Sequence, residues 1–153
     1  MKIASVETFI VENPPPRWGG SPLYFLKLTT DDGLHGWGEM AFLGAQGGMA
    51  GALVRTVEQL AEAHLVGRDA TRIEHIWQTL YTTTMCHHPD LVRMGIVSAV
   101  DTALWDLAGR RLGVPVHELL GGRVRDRVRA YSYIYDDPDR TDREPFESWW
   151  HMW

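Results

Sequence analysis

The densest group of side chains able to hold a metal or move a proton is Cys86-His87-His88. A thiol and two adjacent imidazoles suit a borderline metal, but neighbouring groups rarely complete a tetrahedral shell without ligands from elsewhere in the chain. The plainer reading is a loop between two helices. Asp101 and Asp106 lie in the most apolar stretch and invite a reading as a catalytic pair. Five positions along a helix leave them about 140° apart, so they do not converge, and structural hydrogen bonding to neighbouring helix ends or to arginines is expected of them instead. Glu39 stands beside glycines at the end of an apolar stretch with no visible partner for proton transfer, which favours a structural role. Gly33, Gly36 and Gly38 make no dinucleotide fingerprint, because no helix opens directly after them and no parallel βαβ unit encloses them. No catalytic residue and no metal ligand is assigned within this chain.

The elements that must position these groups are legible from period and punctuation. Ile3 to Val11 is β-branched and aromatic, then stops at Pro14-Pro15-Pro16. A second such run covers Leu23 to Thr30, and Asp31-Asp32-Gly33 turns it into a third over residues 34 to 39. These runs predict a three-stranded antiparallel meander. After the small-residue loop from Gly44 to Gly51 the apolar period changes to that of a helix. Helices are expected near residues 52 to 65, 71 to 84 and 91 to 112. Gly67 closes the first, Thr71 and Glu74 have the form of a capping box for the second, and Asp90 caps the third. Trp37 and Trp105 both read as core. A short helical turn over 114 to 122 ends at Gly121-Gly122. The fold class is therefore α+β, with a domain over 1 to 122. Residues 123 to 153 begin with alternating arginines and a β-prone run near 128 to 135, then continue as an irregular, acidic, tryptophan-bearing tail.

Composition narrows the function. The chain has 153 residues, with 15 basic and 20 acidic side chains giving a formal charge of −5. Nucleic acid and anionic membranes are bound through a basic excess, so neither is expected as a partner. Cys86 is the only cysteine, which rules out an intrachain disulfide and fits a reducing, cytoplasmic setting. The first apolar stretch alternates and meets prolines, so it reads as neither a signal peptide nor a membrane span.

Several segments together resemble the N-terminal domain of the mandelate racemase and muconate-lactonizing branch of the enolase superfamily. They are Met1-Lys-Ile with Val6-Glu-Thr-Phe, Thr29-Thr-Asp-Asp-Gly33, Gly36-Trp-Gly-Glu39, Ser98-Ala-Val-Asp-Thr-Ala-Leu-Trp-Asp-Leu107, and Leu112-Gly-Val-Pro-Val with Leu119-Leu-Gly-Gly122. Each piece is common; their order and spacing over roughly residues 1 to 135 are specific. Gly67-Arg-Asp-Ala, Arg72-Ile-Glu-His-Ile-Trp77 and Arg129-Ala-Tyr-Ser-Tyr133 look most like acid-sugar dehydratases of the galactonate and mannonate kind.

The resemblance implies a capping domain followed by a (β/α) barrel. In the complete family the barrel binds one Mg2+ and supplies the bases that remove a proton α to a carboxylate, with the metal stabilising the enediolate. Such a barrel takes about 200 to 250 residues, whereas 31 follow Gly122. The expectation is an enzyme's cap and first barrel strand, inactive alone, with no cofactor of its own and Mg2+ implied for the whole enzyme. The resemblance also implies an acid-sugar substrate and a homo-oligomer for that enzyme. The cap loops of the family close over the barrel mouth, which makes Arg17 a candidate fork for a substrate carboxylate and Trp18 a candidate shield against water. By the same resemblance His87 and His88 lie near the mouth and are candidate substrate contacts. The rival expectation is a free-standing, non-catalytic α+β binding module whose tail tryptophans join another chain.

Overall fold

The computed structural model describes residues 1–12, 22–40, 49–85 and 90–131. Three strands, β1 (Ile3–Val11), β2 (Leu23–Thr30) and β3 (His35–Met40), pair antiparallel in the order β1-β2-β3. The helices are α1 (Met49–His64), α2 (Ile73–Met85), α3 (Leu91–Leu112) and a single turn, α4 (Val116–Leu119). The meander and its helical cover therefore form as the sequence predicts, with α1 beginning three residues earlier than expected.

Strand alternation decides which side chains meet the helices. Tyr24, Leu26, Leu28 and Thr30 of β2 are buried, and Gly36, Gly38 and Met40 of β3 share that inward face. From the helical side Leu53, Val57, Ile76, Leu80, Ile96, Val100, Leu104 and Leu107 complete the core. Trp37 departs from expectation. With a glycine facing inward on either side of it, period 2 turns its indole to the open face of the sheet, where it is 36% exposed. There it packs on Phe9 at 5.2 Å between ring centres, with the Lys27 ammonium 5.9 Å from its own ring. Trp105 is half-buried rather than core, and Tyr81 is half-exposed, stacked on Trp77 at 5.0 Å.

The glycines of β3 set the distance between layers. A Cβ built on Gly38 would lie 1.9 Å from the Ala99 carbonyl oxygen, and one on Gly36 would lie 2.3 Å from that of Ala103. Helix α3 thus rests directly on the β3 backbone, a close approach that only glycine permits.

The ends of the elements are satisfied locally. Asp90 accepts from the Val92 and Arg93 amides at 3.0 and 3.2 Å, as its cap position predicts, and Gly113 closes α3 with φ 69°. The expected capping box at α2 does not form. Thr71 instead donates its amide and hydroxyl to Asp69 at 3.0 and 2.9 Å, and Glu74 accepts from Gln78. The Thr71 amide, which Glu74 would accept in a capping box, is taken by the Asp69 carboxylate two residues back, so the reciprocal pair does not close. The first residues of β1 are stitched to the turn after α1: the Ile3 amide donates to Arg68, the Gly67 amide to Ile3, and the Ala70 amide to Met1.

Met1–Arg123 form one compact unit and Val124–Trp153 a second. In the second unit residues 124 to 131 are described, and Val124, Val128 and Tyr131 are exposed. The strand expected near 128 to 135 is not formed over 128 to 131, because a strand exists only through its ladder bonds and no strand among the described residues pairs with it. Residues 132 to 135 lie outside the described residues.

Candidate functional site

The topology gathers particular loop anchors at one end of the Met1–Arg123 unit. Val11 pairs with Leu23 and Tyr24 with Met40, so the segments that leave β1, enter β2 and leave β3 share one end of the sheet. The β2–β3 turn, residues 31 to 34, lies at the other. Gly36 abuts Ala103 and Leu107, while Gly38 abuts Ala99, so moving up β3 toward Met40 is moving down α3 toward its N-terminus. The N-terminus of α3 therefore lies at the same end. Arg17, Trp18, His87 and His88 belong to these segments and lie outside the described residues. The fold brings their anchors together.

The acidic residues singled out by sequence are positioned differently from one another. Asp106 accepts from the Trp37 backbone amide at 2.9 Å and from Arg110 Nε at 3.0 Å. The bond to Arg110 is the use expected of it, and the bond to the Trp37 amide, which the sequence did not suggest, ties the middle of β3 to the last turns of α3. Asp101 lies one helical turn before Trp105 at an open cleft of 810 Å³ between α2 and α3, which Arg72, Glu74 and Trp77 also line. Partial burial raises its carboxyl above the ordinary aspartate range, and the nearby Glu74 charge pushes the same way. Glu39 is exposed on the open sheet face across from Phe25. Asp32 and Asp69 sit in turns. The hydroxyl of Thr30 and then backbone amides hold Asp32 below its ordinary value, and the amide and hydroxyl of Thr71 do so for Asp69.

The Asp101 environment gives a testable pH dependence. Because its folded pKa is raised, the folded state carries no penalty below the unfolded value of about 3.8 and a full penalty above the raised folded value. Charge at this position therefore opposes folding at neutral pH. We expect Asp101→Asn to raise the melting temperature at pH 7 and to lose that advantage as pH falls below the aspartate range. A gain of the same size at every pH would contradict this. Asp32 and Asp69 have the opposite sign: their stabilisation is present above the unfolded pKa and lost as pH falls through the lowered folded value.

Among the described residues no three His, Cys, Asp or Glu side chains converge on a point where a metal ion could sit. No helix of the described residues is long and apolar enough to cross a membrane. What this unit does is bring the ends of β1, β2, β3 and α3 to one side of a layered frame, with Trp77 and Trp105 lining a separate cleft between α2 and α3. Two features that sequence reasoning missed organise that frame: the contact of α3 with Gly36 and Gly38, and the Asp106 link to Trp37. The signal for the first was two glycines alternating in a strand directly before a helical region, a pattern that marks close backbone approach.

Comparison with known proteins fits this architecture. Residues 6–121 match the family model described as mandelate racemase / muconate lactonizing enzyme, N-terminal domain. The chain is 41% identical over 137 residues to a D-galactonate dehydratase of Variovorax paradoxus, covering 90% of this chain and 32% of that protein. A D-galactonate dehydratase of Ralstonia nicotianae is 43% identical, with the same coverage of 90% and 32%. Among solved structures, a mandelate racemase/muconate lactonizing enzyme from a Sulfitobacter species superposes with a TM-score of 0.79 at 34% identity, covering 92% of this chain and 35% of that one. A protein from Roseovarius sp. TM1035 described as like these enzymes gives the same TM-score of 0.79 at 34% identity, again covering 92% and 35%. The chain thus spans about a third of the length of the relatives it matches. By a family match across most of its length and by the fold that carries it, the chain belongs to the mandelate racemase / muconate lactonizing enzyme family, as that family's N-terminal domain.

Proposed function

We propose that the chain serves as the capping part of a Mg2+-dependent acid-sugar dehydratase, an enzyme that removes a proton α to a carboxylate and expels water. The observation that carries this reading is the collinear match of 137 residues to D-galactonate dehydratases at about 40% identity. The cap's work in such an enzyme is to close the site and recognise the acid. Arg17 is the residue whose planar fork suits a substrate carboxylate, Trp18 would exclude water, and His87 and His88 would contribute polar contacts from the adjoining connection.

The described side chains do not fit a magnesium site. Mg2+ demands oxygen ligands in near-octahedral array, and no such group converges here. In this reading the rest of the enzyme supplies the metal and the bases of the reaction, as the family resemblance implies, and no proton transfer is assigned to the described residues. Lys2 and Lys27 are the only lysines; Lys27 lies on the open sheet face, engaged with Glu7 at 3.2 Å.

The test is to screen acid sugars with Mg2+, first with the chain alone and then with the remaining two-thirds of the Variovorax D-galactonate dehydratase supplied as a separate polypeptide. We expect no turnover from the chain alone and dehydration of D-galactonate in the mixture. Arg17→Ala should abolish most of the restored activity, mainly through KM, with the circular dichroism unchanged. Turnover by the chain alone, or a mixture that folds and associates but never dehydrates an acid sugar, would overturn the reading.

A further inference from the structure

The sheet has two edges, and the chain treats them differently. At β3 the outward Trp37 amide is taken by the Asp106 carboxylate at 2.9 Å, and α3 rests on Gly36 and Gly38 to either side of it. That edge is sealed. At β1 only the first residues are covered: the Ile3 amide donates to Arg68 and the Gly67 amide to Ile3, after which the register shifts between Ile3 and Ser5. From Ser5 to Val11 the strand runs in regular register, and among the described residues no backbone group bonds to its outer side. Open edges usually carry a lysine, a proline, a bulge or an inward charge that discourages pairing. Between Ser5 and Val11 the one charge is Glu7, and Phe9, Ile10 and Val11 are 38, 38 and 47% exposed.

Register decides which backbone groups face outward. In an antiparallel ladder each residue turns its amide and carbonyl to one neighbouring strand, and the direction alternates along the chain. The Trp37 amide points away from β2, so its partner Lys27 turns its own groups toward β1, where Glu7 receives them. Val6, Thr8 and Ile10 therefore present theirs at the free edge.

We propose that this edge pairs with β1 of a second copy of the chain, antiparallel about a two-fold axis through Thr8, joining the two sheets into one continuous sheet. Facing side chains must lie on the same side of a sheet, so the axis passes through a residue, and Thr8 is the middle of the regular segment. About that axis Val6 bonds to Ile10, Thr8 to Thr8 and Ile10 to Val6, each pair exchanging two hydrogen bonds, so every outward group from Val6 to Ile10 is satisfied. The side chains agree with this register. Val6 faces Ile10, threonine faces threonine, and Glu7 lies across from Phe9; an axis through Glu7 would instead set two like charges opposite each other. The contact is isologous and small, in the range of weak encounters, so the association depends on concentration. It uses only the chain's own edge and does not rest on the capping reading.

Sedimentation of the 153-residue chain over a wide concentration range should show a reversible equilibrium between monomer and dimer. Two variants at one position then test the register. Phe9→Glu sets carboxylates opposite one another twice across the axis, whereas Phe9→Lys sets an ammonium opposite Glu7 twice. Both lose the ring contact with Trp37, so a shared loss of stability cancels in the comparison. The lysine variant should dimerise about tenfold more tightly than the glutamate variant, the size expected of two cross-strand charge pairs reversed in sign. Disulfide trapping is the second measurement, each variant in a Cys86→Ser background. Glu7→Cys mixed with Phe9→Cys should cross-link under mild oxidation, since a non-bonded pair brings its Cα atoms to about 4.5 Å. Either variant alone should cross-link at least about tenfold more slowly, because diagonal neighbours lie about 7 to 8 Å apart. A chain that stays monomeric at every concentration would overturn the proposal, as would equal dimerisation of the two Phe9 variants, or equal cross-linking in the mixture and in the single variants.

Discussion

Gly38→Ala is expected to destabilise the Met1–Arg123 unit by about 3 kcal/mol or more, the upper range for overpacking a tight contact. The added methyl would meet the Ala99 carbonyl oxygen at 1.9 Å and the Ala99 Cα at 3.0 Å. These are backbone atoms of a helix, so no rotamer change relieves the clash; either α3 lifts from the sheet or β3 bends. Lifting α3 would also disturb the Trp37–Asp106 bond, and the two losses would couple. Urea unfolding should show a midpoint lower by more than about 1 M. Gly51→Ala is the matched control, since nothing lies within 4 Å of a Cβ built there. It sits within α1 and should be neutral or slightly stabilising, by up to about 1 kcal/mol, through helix propensity. An unchanged midpoint for Gly38→Ala would mean that α3 does not rest on the β3 backbone.

The second large effect is expected at Leu104, which is fully buried beneath the sheet, with Ala103 and Leu107 equally buried around it. Truncation to alanine removes the transfer free energy of three carbons. It also leaves a cavity bounded by a helix whose distance from the strands is already fixed by the glycine contacts, so little collapse can fill it. We expect Leu104→Ala to cost about 2 to 5 kcal/mol. Leu112→Ala, in the same helix but at a side chain that is 63% exposed, should stay within about 0.5 kcal/mol. Similar losses at both positions would contradict the assigned orientation of α3. The denaturant slope should not change in either variant, since neither alters the surface exposed on unfolding.

The sequence carried most of the fold because its signals were local and mutually consistent. Alternation marked β1 and β2 to the residue, and Asp90 with Gly113 bracketed α3 at both ends. Errors arose where one position answered to two neighbours. The Thr71 amide had two candidate acceptors, Glu74 and Asp69, and pattern alone does not rank them. Trp37 is apolar in an apolar strand, yet the direction of its side chain was decided by Gly36 and Gly38, whose missing side chains marked the inward face. The site was less legible than the fold. The segments that carry Arg17, Trp18, His87 and His88 have no period to read, and the shared end of the strands and helix that anchor them emerges only once strand register and the path of α3 are known. Asp106 shows the same limit: its arginine partner is four residues away and readable, but its bond to the Trp37 amide spans 69 residues.

That long span bears on how the chain assembles as it is made. The meander is complete in sequence by Met40, but its inward face is covered by α3, more than fifty residues later, and the start of β1 is fixed by the turn at Gly67 to Ala70. Local hairpins can form and dissolve early, but closing the larger loops brings its reward only after the helix has arrived. A nascent chain halted before residue 91 would therefore display the apolar face of Tyr24, Leu26 and Leu28 together with unpaired strand edges. The interval between synthesis of β3 and completion of α3 is the time in which this domain is most open to aggregation and to capture by chaperones.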